Sequence, residues 1–159
     1  MVIIRPLDAA AVTYVCEHMR ALDRAEIFAT RPDDDVHAIA AATMALAQFG
    51  GVVWWNDEPV AVACAMPLWP GVWSVGMYAT DLWPHVAYAT TRWIGARLMP
   101  DLIATGAHRA ECRSLSSHVT AHRWLERLGA VREAVLADCG RNREMFYLYA
   151  WTLTHIGER

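Results

Sequence analysis

The amino-acid sequence predicts an α/β domain in which a mixed β-sheet of about seven strands is sandwiched by helices. Segments with helical periodicity alternate with short apolar runs typical of strands, and turn-forming residues separate them. The 159 residues, of which 55% are hydrophobic, suffice for one sizeable core. We therefore expect a single domain over residues 1–153, followed by a polar C-terminal tail at residues 154–159.

The first third of the chain predicts one strand and three helices. The strand covers residues 2–7, and the helices cover residues 9–20, a short stretch that ends before Pro32, and residues 36–49. Asp8 can accept hydrogen bonds from the free N–H groups at the start of the first helix. Gly50 and Gly51 are predicted to end the third helix, because glycine adopts the left-handed conformation without steric cost.

The middle of the chain predicts three strands and a long helix. The strands lie at residues 52–55, 60–66 and 72–79, with a loop at residues 67–71 before the last of them. Gly76, in the middle of the third strand, indicates a β-bulge or a close approach by another group. Pro84 suits the first turn of the helix that follows, and Pro100 is expected to kink or split that helix.

Residues 108–130 organise the last third of the chain. A strand at residues 109–115 is followed by Ser116 and Ser117, whose hydroxyls can cap the next helix. The helix has an apolar face and ends at Gly129. That face is formed by Val119, Trp124, Leu125 and Leu128. A hairpin of strands at residues 131–138 and 145–153 closes the sheet.

Composition excludes several classes of protein. The net charge of −3 offers no basic surface for nucleic acid, and no apolar run is long enough to cross a membrane. The first residues lack the long apolar stretch of a signal peptide. The four cysteines are scattered, which favours reduced thiols. We therefore expect a cytoplasmic protein without a nucleic-acid or membrane partner.

The eight tryptophans are the unusual feature of the composition. Trp54 and Trp55 are adjacent on a predicted strand, so their side chains point to opposite faces of the sheet. Either helices cover both faces, or one of the two indoles contacts a ligand or another subunit.

The order of elements resembles the GNAT superfamily of N-acetyltransferases. The likeness is sharpest at residues 121–130, AHRWLERLGA, which is similar to the superfamily's signature of Ala-x-x-aromatic-Tyr-x-x-x-Gly-Phe. The resemblance implies a GNAT-like fold and acetyl-CoA as cofactor, whose pantetheine arm pairs with residues 72–79 and whose pyrophosphate lies at the following helix start. The cofactor-binding residues implied in this way are Val75, Gly76, Met77, Tyr78, Pro84, His85 and Val86.

The same resemblance implies an amine acceptor, either a small molecule or a protein N-terminus or lysine. Asp23 and Glu26 fall in the region that forms one wall of the acceptor cleft, although they could instead form a surface ion-pair cluster. His118 could act as a general base if it lines the cleft. His118 and His122 also have the i, i+4 spacing of metal ligands, but no third ligand is evident, so a solvated helix face is favoured and no metal is predicted.

Two departures from the superfamily pattern favour a second hypothesis. The loop before Val86 contains no glycine, and Leu125 stands where the superfamily has a tyrosine that protonates the leaving thiolate. The segments MRALDRAEI, WSVGMYATD and HRWLERLGA resemble short GNAT-like proteins of tailed phages. The chain is thus expected to be an acetyltransferase with a divergent donor site, or an inactive virion or assembly protein. In the second case it would lie in the host cytoplasm or the virion, with virion proteins or its own copies as partners.

Overall fold

The computed structural model describes residues 1–156, and the side chains of residues 1–154. Seven strands form one sheet, as predicted. Their bounds are β1 Val2–Arg5, β2 Phe49–Trp55, β3 Glu58–Trp69, β4 Val72–Ala79, β5 Arg109–Leu115, β6 Val131–Leu136 and β7 Phe146–Thr152. The helices are α1 Ala9–Glu17, α2 Ala21–Ala29, α3 Val36–Leu46, α4 Trp83–Trp93, α5 Met99–Ala104, α6 Val119–Arg127 and α7 Leu153–Ile156. The predicted tail thus begins as a short helix, and its end, residues 157–159, lies outside the described residues.

The sheet has the strand order β1-β2-β3-β4-β5-β7-β6. Every neighbouring pair is antiparallel except β4 and β5, which run parallel. The parallel pairing lasts for three residues, Val72 to Ser74 against Arg109 to Glu111. Beyond that point β4 and β5 separate, and this opens a gap in the middle of the sheet.

Helices cover both faces of the sheet. Helices α1 to α3 pack on one face, around Val52, Val62 and Tyr78. Helices α4 to α6 pack on the other, over the faces of β3, β4 and β7. Trp54 packs with the first layer and Trp55 with the start of α4. The first alternative for the adjacent tryptophans is therefore confirmed, since a helix layer covers each of them.

The prediction that Gly50 and Gly51 end the third helix is wrong. Helix α3 ends at Leu46, and both glycines belong to β2. A Cβ atom at Gly50 would lie 2.7 Å from the carbonyl oxygen of Ala63, in the neighbouring strand β3. The glycine is therefore needed for close approach of two strands, which is a different use of the same residue.

The loop predicted at residues 67–71 is shortened to a turn at Pro70 and Gly71, because β3 continues to Trp69. Pro67 pairs opposite Trp73 of β4, and the register shifts between Pro67 and Trp69. The pairing with β2 already ends at Ala65, so Pro67 lies on a free edge of the strand, where its missing N–H costs no ladder hydrogen bond.

Pro100 does split the long helix, as predicted. Helix α4 ends at Trp93, a π-helical turn covers Ile94–Leu98, and α5 begins at Met99. Proline has no N–H to donate to the carbonyl one turn earlier, so the regular hydrogen-bond pattern cannot continue through it. Among the described residues, no helix is both long and apolar enough to cross a membrane.

The segment before α6 differs from its prediction. His118, not a serine, is the N-cap residue, and its side chain accepts a hydrogen bond from the N–H of Ala121. The buried positions of α6 are His122 and Leu125, whereas Val119 is 51% exposed. Gly129 follows the helix with a φ of 92°, so the predicted glycine stop is confirmed.

Candidate active site

The gap between β4 and β5 opens into a cavity of about 660 Å³. The edge of β4 that faces the gap can be assigned from Ala79, whose N–H donates to Asp23 and whose carbonyl accepts from the N–H of Arg20. Because the N–H and C=O groups of a strand point to the same edge at every second residue, those of Met77 and Val75 also point into the gap. These backbone groups can pair with an extended ligand.

The predicted cofactor residues divide into two sets. Those of β4 and Pro84 line the cavity, namely Val75, Gly76, Met77, Tyr78 and Pro84. His85 and Val86 do not line it. The His85 ring stacks on Trp55 with ring centroids 4.1 Å apart, and the Val86 side chain is fully buried in the core. The family resemblance implies that His85 and Val86 bind the cofactor. This stays a prediction, and it concerns their backbone groups and not their side chains.

Gly76 causes no bulge, since β3 and β4 keep their register through it. A Cβ atom at Gly76 would meet no atom within 4 Å. The prediction of a bulge is therefore wrong, and the missing side chain leaves open space in the cavity.

Asp23 of α2 is the centre of a buried polar network. The residue is 3% exposed, and its carboxylate accepts hydrogen bonds from the N–H of Ala79 at 2.8 Å and from Nε of Arg20 at 2.8 Å. Its Oδ1 atom lies 2.9 Å from Nε2 of His118. The surface ion-pair alternative is thus wrong for Asp23. The pattern of charges in the sequence does not show that this residue lies against the end of β4 and the residue before α6.

The hydrogen bonds of His118 define its tautomer. The residue is 1% exposed, and Nδ1 lies 3.4 Å from the backbone nitrogen of Ala121, whose N–H can only donate. Nδ1 is therefore the acceptor, also towards the Thr120 hydroxyl at 3.2 Å, and Nε2 carries the proton that it donates to Asp23. Both ring nitrogens are occupied by protein groups.

The pKa of Asp23 reflects this network. Burial by itself raises the pKa, but the hydrogen bonds from His118, Arg20 and Ala79 outweigh burial and hold the pKa of the carboxyl below its usual value. Asp23 is therefore a structural anion that stays charged and paired.

Glu26 lies one turn further along α2, half-buried, and contacts the other strand of the gap. Its Oε2 atom accepts hydrogen bonds from the Ser114 hydroxyl at 2.8 Å and from the N–H of Leu115 at 2.7 Å. Oε1 has no hydrogen-bond partner among the side chains and backbone of residues 1–154. Burial raises the pKa of this carboxyl above its usual value, although the bonds from Leu115 and Ser114 oppose the shift. The carboxylates of α2 thus connect to both separated strands.

His122 is buried as well, at 8% exposure, so the solvated helix face predicted for the two histidines is wrong. Its Nε2 donates to the carbonyl oxygen of Leu115 at 3.0 Å. Burial lowers the pKa of the imidazole. In the described part of the chain, no three His, Cys, Asp or Glu side chains form a group that could hold a metal ion.

Two other groups in the cavity could exchange a proton only with difficulty. Burial raises the pKa of the Cys112 thiol to about 12, with the charges of Glu26 and Glu111 adding to the effect. Burial also raises the pKa of the Tyr78 hydroxyl, which lies 3.0 Å from the hydroxyl of Thr43. Leu125, which the sequence resemblance aligns with the superfamily's tyrosine, lines the cavity with an aliphatic side chain.

The first turn of α4 offers few N–H groups to an anion. The N–H of Trp83 donates to the carbonyl of Thr80, that of His85 to the carbonyl of Leu82, and that of Leu82 to the Thr80 hydroxyl. Pro84 has no N–H. At most the Val86 N–H remains for a phosphate at this turn, which is a weak form of the usual anion site at a helix start.

The seven-stranded sheet, with its parallel central pair and two helix layers, is the fold of GNAT acetyltransferases. A GNAT-family acetyltransferase from Bacillus anthracis has a TM-score of 0.72 at 17% identity, over 95% of this chain and 94% of that one. The ribosomal-protein-S18-alanine N-acetyltransferase of Escherichia coli has a TM-score of 0.70 at 14% identity, over 96% and 94%. Ard1 from Thermoplasma volcanium has a TM-score of 0.72 at 12% identity, over 95% and 97%.

No protein-family model matches the chain, and no curated protein matches it. The solved structures therefore establish the fold, while the phage resemblance of the short segments stays a prediction.

Proposed function

We propose that this protein is a member of the GNAT superfamily that transfers the acetyl group of acetyl-CoA to an amine. The observation that carries the proposal is the gap between β4 and β5, where the backbone groups of Val75 and Met77 face a cavity that also contains the carboxylate of Glu26. The backbone groups of β4 can pair with the extended pantetheine arm of a thioester. The carboxylate of Glu26 can bind a protonated amine.

In the proposed reaction, the amine nitrogen attacks the thioester carbonyl carbon. A C–N bond forms, the C–S bond breaks, and the electron pair of that bond leaves with sulfur. Glu26 accepts one proton from the bound ammonium before the attack, and the N–H proton that the nitrogen loses on forming the amide is taken up by the leaving thiolate to give CoA. We assign the base role to Glu26 and not to His118, because both ring nitrogens of His118 are engaged by Asp23, Thr120 and Ala121. Asp23 and His118 bind each other and form part of the cleft wall, so their role is to position it.

The acceptor is a primary amine, which can belong to a small molecule or to a protein N-terminus or lysine. The charge of Glu26 attracts an ammonium group to the open side of Gly76, where no side chain occupies the space. Arg31 also lines the cavity and would favour an acceptor that carries a carboxylate near its amine.

The proposal is tested by measuring acetyl-CoA binding and acetyl transfer in the wild-type protein and in a variant whose new side chain occupies part of the cavity. Titration calorimetry with acetyl-CoA, with ATP as a control nucleotide, measures donor binding, and release of free CoA thiol in a panel of primary amines measures transfer. In Gly76→Val, the new side chain enters open space, so the fold is kept and binding is lost. Gly95→Val is the matched control, because a Cβ at Gly95 also meets no atom within 4 Å but Gly95 lies outside the cavity.

Selective acetyl-CoA binding that Gly76→Val abolishes and Gly95→Val leaves unchanged supports the proposal. Equal binding of acetyl-CoA by both variants, or no binding by the wild-type protein at millimolar ligand, contradicts it.

A second candidate function rests on the occupied amides of the first turn of α4 and on Leu125. These features fit a phage virion or assembly protein in the host cytoplasm that keeps the GNAT fold for contacts with other virion proteins or its own copies. This candidate predicts cosedimentation with particles or partners and no effect of acetyl-CoA on thermal unfolding.

A further inference from the structure

Much of the cavity lining on the α4 side of the sheet is apolar, and we call this part the apolar chamber. It lies between the sheet and the helices on the α4 side, and its lining includes Ile94, Leu98, Met99, Leu102, Leu128 and Trp151. Ile94 and Leu98 are presented by the π-helical turn. The chamber therefore lies beside the π-helical turn between α4 and α5.

The two indole N–H groups near the chamber are already paired. Nε1 of Trp151 donates to the carbonyl oxygen of Leu128 at 3.0 Å, and Nε1 of Trp124 donates to the Thr91 hydroxyl at 2.8 Å. The Cys112 thiol stays protonated and neutral. A ligand group in the chamber would therefore find no hydrogen-bond partner among these side chains, which favours a hydrocarbon.

The charged residues that line the cavity lie elsewhere. They belong to α2 and the residues that flank it, to the carboxyl half of β5, and to the residue before α6; they are Arg20, Asp23, Glu26, Arg31, Arg113 and His118. The cavity thus has a charged end near Glu26 and an apolar end near Leu102, with the free edge of β4 between them.

Resting on the function proposed above, we infer that the preferred donor is a CoA thioester whose acyl chain is longer than acetyl, with four or more carbons. The pantetheine arm pairs with Val75 and Met77, and the thioester carbonyl lies in the gap. The acyl chain extends towards the narrow end of the gap, where Ala110 pairs with Trp73, and enters the apolar chamber. An acetyl group would leave the chamber unfilled.

Burial of each methylene in an apolar site strengthens binding by about fourfold. The affinity for CoA thioesters is therefore expected to rise by about fourfold per added methylene from acetyl to butanoyl and hexanoyl, until the chain reaches the end of the chamber. Titration calorimetry with CoA, acetyl-CoA, butanoyl-CoA, hexanoyl-CoA and octanoyl-CoA measures this series on the wild-type protein.

Two variants test whether the acyl chain of the thioester lies in the apolar chamber. Leu98→Phe adds volume inside the chamber and is expected to weaken hexanoyl-CoA binding by at least tenfold while acetyl-CoA binding is kept. Ile103→Phe is the matched control, because Ile103 lies on α5 at 44% exposure and outside the cavity, so it should leave the whole series unchanged. The wild-type series remains decisive if Leu98→Phe does not fold.

Rising affinity with chain length, removed by Leu98→Phe, supports the inference. Equal affinity for acetyl-CoA and hexanoyl-CoA overturns it while the proposed function stands. Failure of CoA and of every thioester to bind overturns both. A parallel titration with butylamine and hexylamine distinguishes the source of the chain, and a gain with amine length but not with thioester length also overturns the inference.

Discussion

His118 and Asp23 are 95 residues apart in the sequence, yet Nε2 of His118 lies 2.9 Å from Oδ1 of Asp23. The same carboxylate accepts the N–H of Ala79 at the end of β4. One side chain of α2 therefore connects β4 to the start of α6, across the gap in the sheet. Glu26, on the next turn of α2, connects to β5 through Ser114 and Leu115. Helix α2 thus holds the two separated strands at a fixed distance.

Substitution of Asp23 tests this role in stability. Asp23→Asn keeps the shape but removes a charge that accepts hydrogen bonds from Arg20, Ala79 and His118, and the amide nitrogen would face donors. We expect a loss of about 3 kcal/mol in the free energy of unfolding, as for a buried ion pair that loses one partner. Urea denaturation followed by tryptophan fluorescence measures the change.

Asp34→Asn is the control for that measurement. Asp34 also pairs with an arginine, Arg141, but its side chain is 62% exposed. An exposed pair contributes within about 1 kcal/mol. Equal effects of the two substitutions would contradict the buried network as the source of the stability.

The pH dependence of transfer tests Glu26 as the base. The carboxyl must be ionised to accept a proton, and burial raises its pKa above the usual 4.5. The rate is therefore expected to rise with pH through an apparent pKa above 4.5 and then to level off. Glu26→Gln keeps an oxygen that can accept the bonds from Ser114 and Leu115 but cannot take a proton, and we expect kcat to fall by roughly 100-fold or more.

Glu17→Gln provides the comparison, since Glu17 is exposed and lies outside the cavity. It should keep both the rate and the pH profile. A Glu26→Gln enzyme with the wild-type rate would rule out Glu26 as the base.

The buried imidazole of His122 leads to a second pH prediction, which concerns the free energy of unfolding. Burial lowers the pKa of His122 below 6.5 in the folded protein, so the unfolded chain binds a proton at a higher pH than the folded one. As the pH falls below 6.5, the unfolded state gains protons first, and the free energy of unfolding decreases until the folded pKa is passed. His122→Gln is expected to reduce this dependence in urea denaturation between pH 5 and 7.5.

The control for this experiment is His37→Gln, because the His37 side chain is 70% exposed. That variant should keep the wild-type decrease in stability at low pH. If His122→Gln also keeps it, another group is responsible for the decrease.

Much of the fold could be predicted from sequence because each element shows a local pattern. The apolar run at residues 60–66 predicts a strand buried on both faces, and the structure buries its residues from Val60 to Ala65. The errors arose where one residue type serves two local purposes. Gly50 can end a helix or allow two strands to approach, and only the position of Ala63 decides between them.

The candidate site was harder to predict, because its contacts join distant parts of the chain. The family resemblance indicates Asp23, Glu26 and His118, but no local pattern in the sequence shows that Asp23 lies against Ala79 and His118. The Ser114 hydroxyl donates to Glu26, 88 residues away. Periodicity carries no information about such a pair.

The first turn of α4 leads to the last prediction, which concerns the phosphates of the donor. Because the N–H groups of Leu82, Trp83 and His85 already donate within the turn, the nucleotide part of CoA should add little to binding there. We expect acetyl-CoA to bind no more than about tenfold tighter than S-acetylpantetheine, a difference of about 1.4 kcal/mol.

Titration calorimetry of both ligands at 50 and 300 mM salt tests this expectation. A weak phosphate contribution also means that the affinity for acetyl-CoA should change little with salt, since screening acts on charge interactions and not on backbone pairing with β4. Gly76→Val provides the matched variant, because it fills the space beside β4 and should weaken both ligands equally. A difference of a thousandfold between the ligands, lost at high salt, would instead mean that cationic side chains outside this turn bind the phosphates.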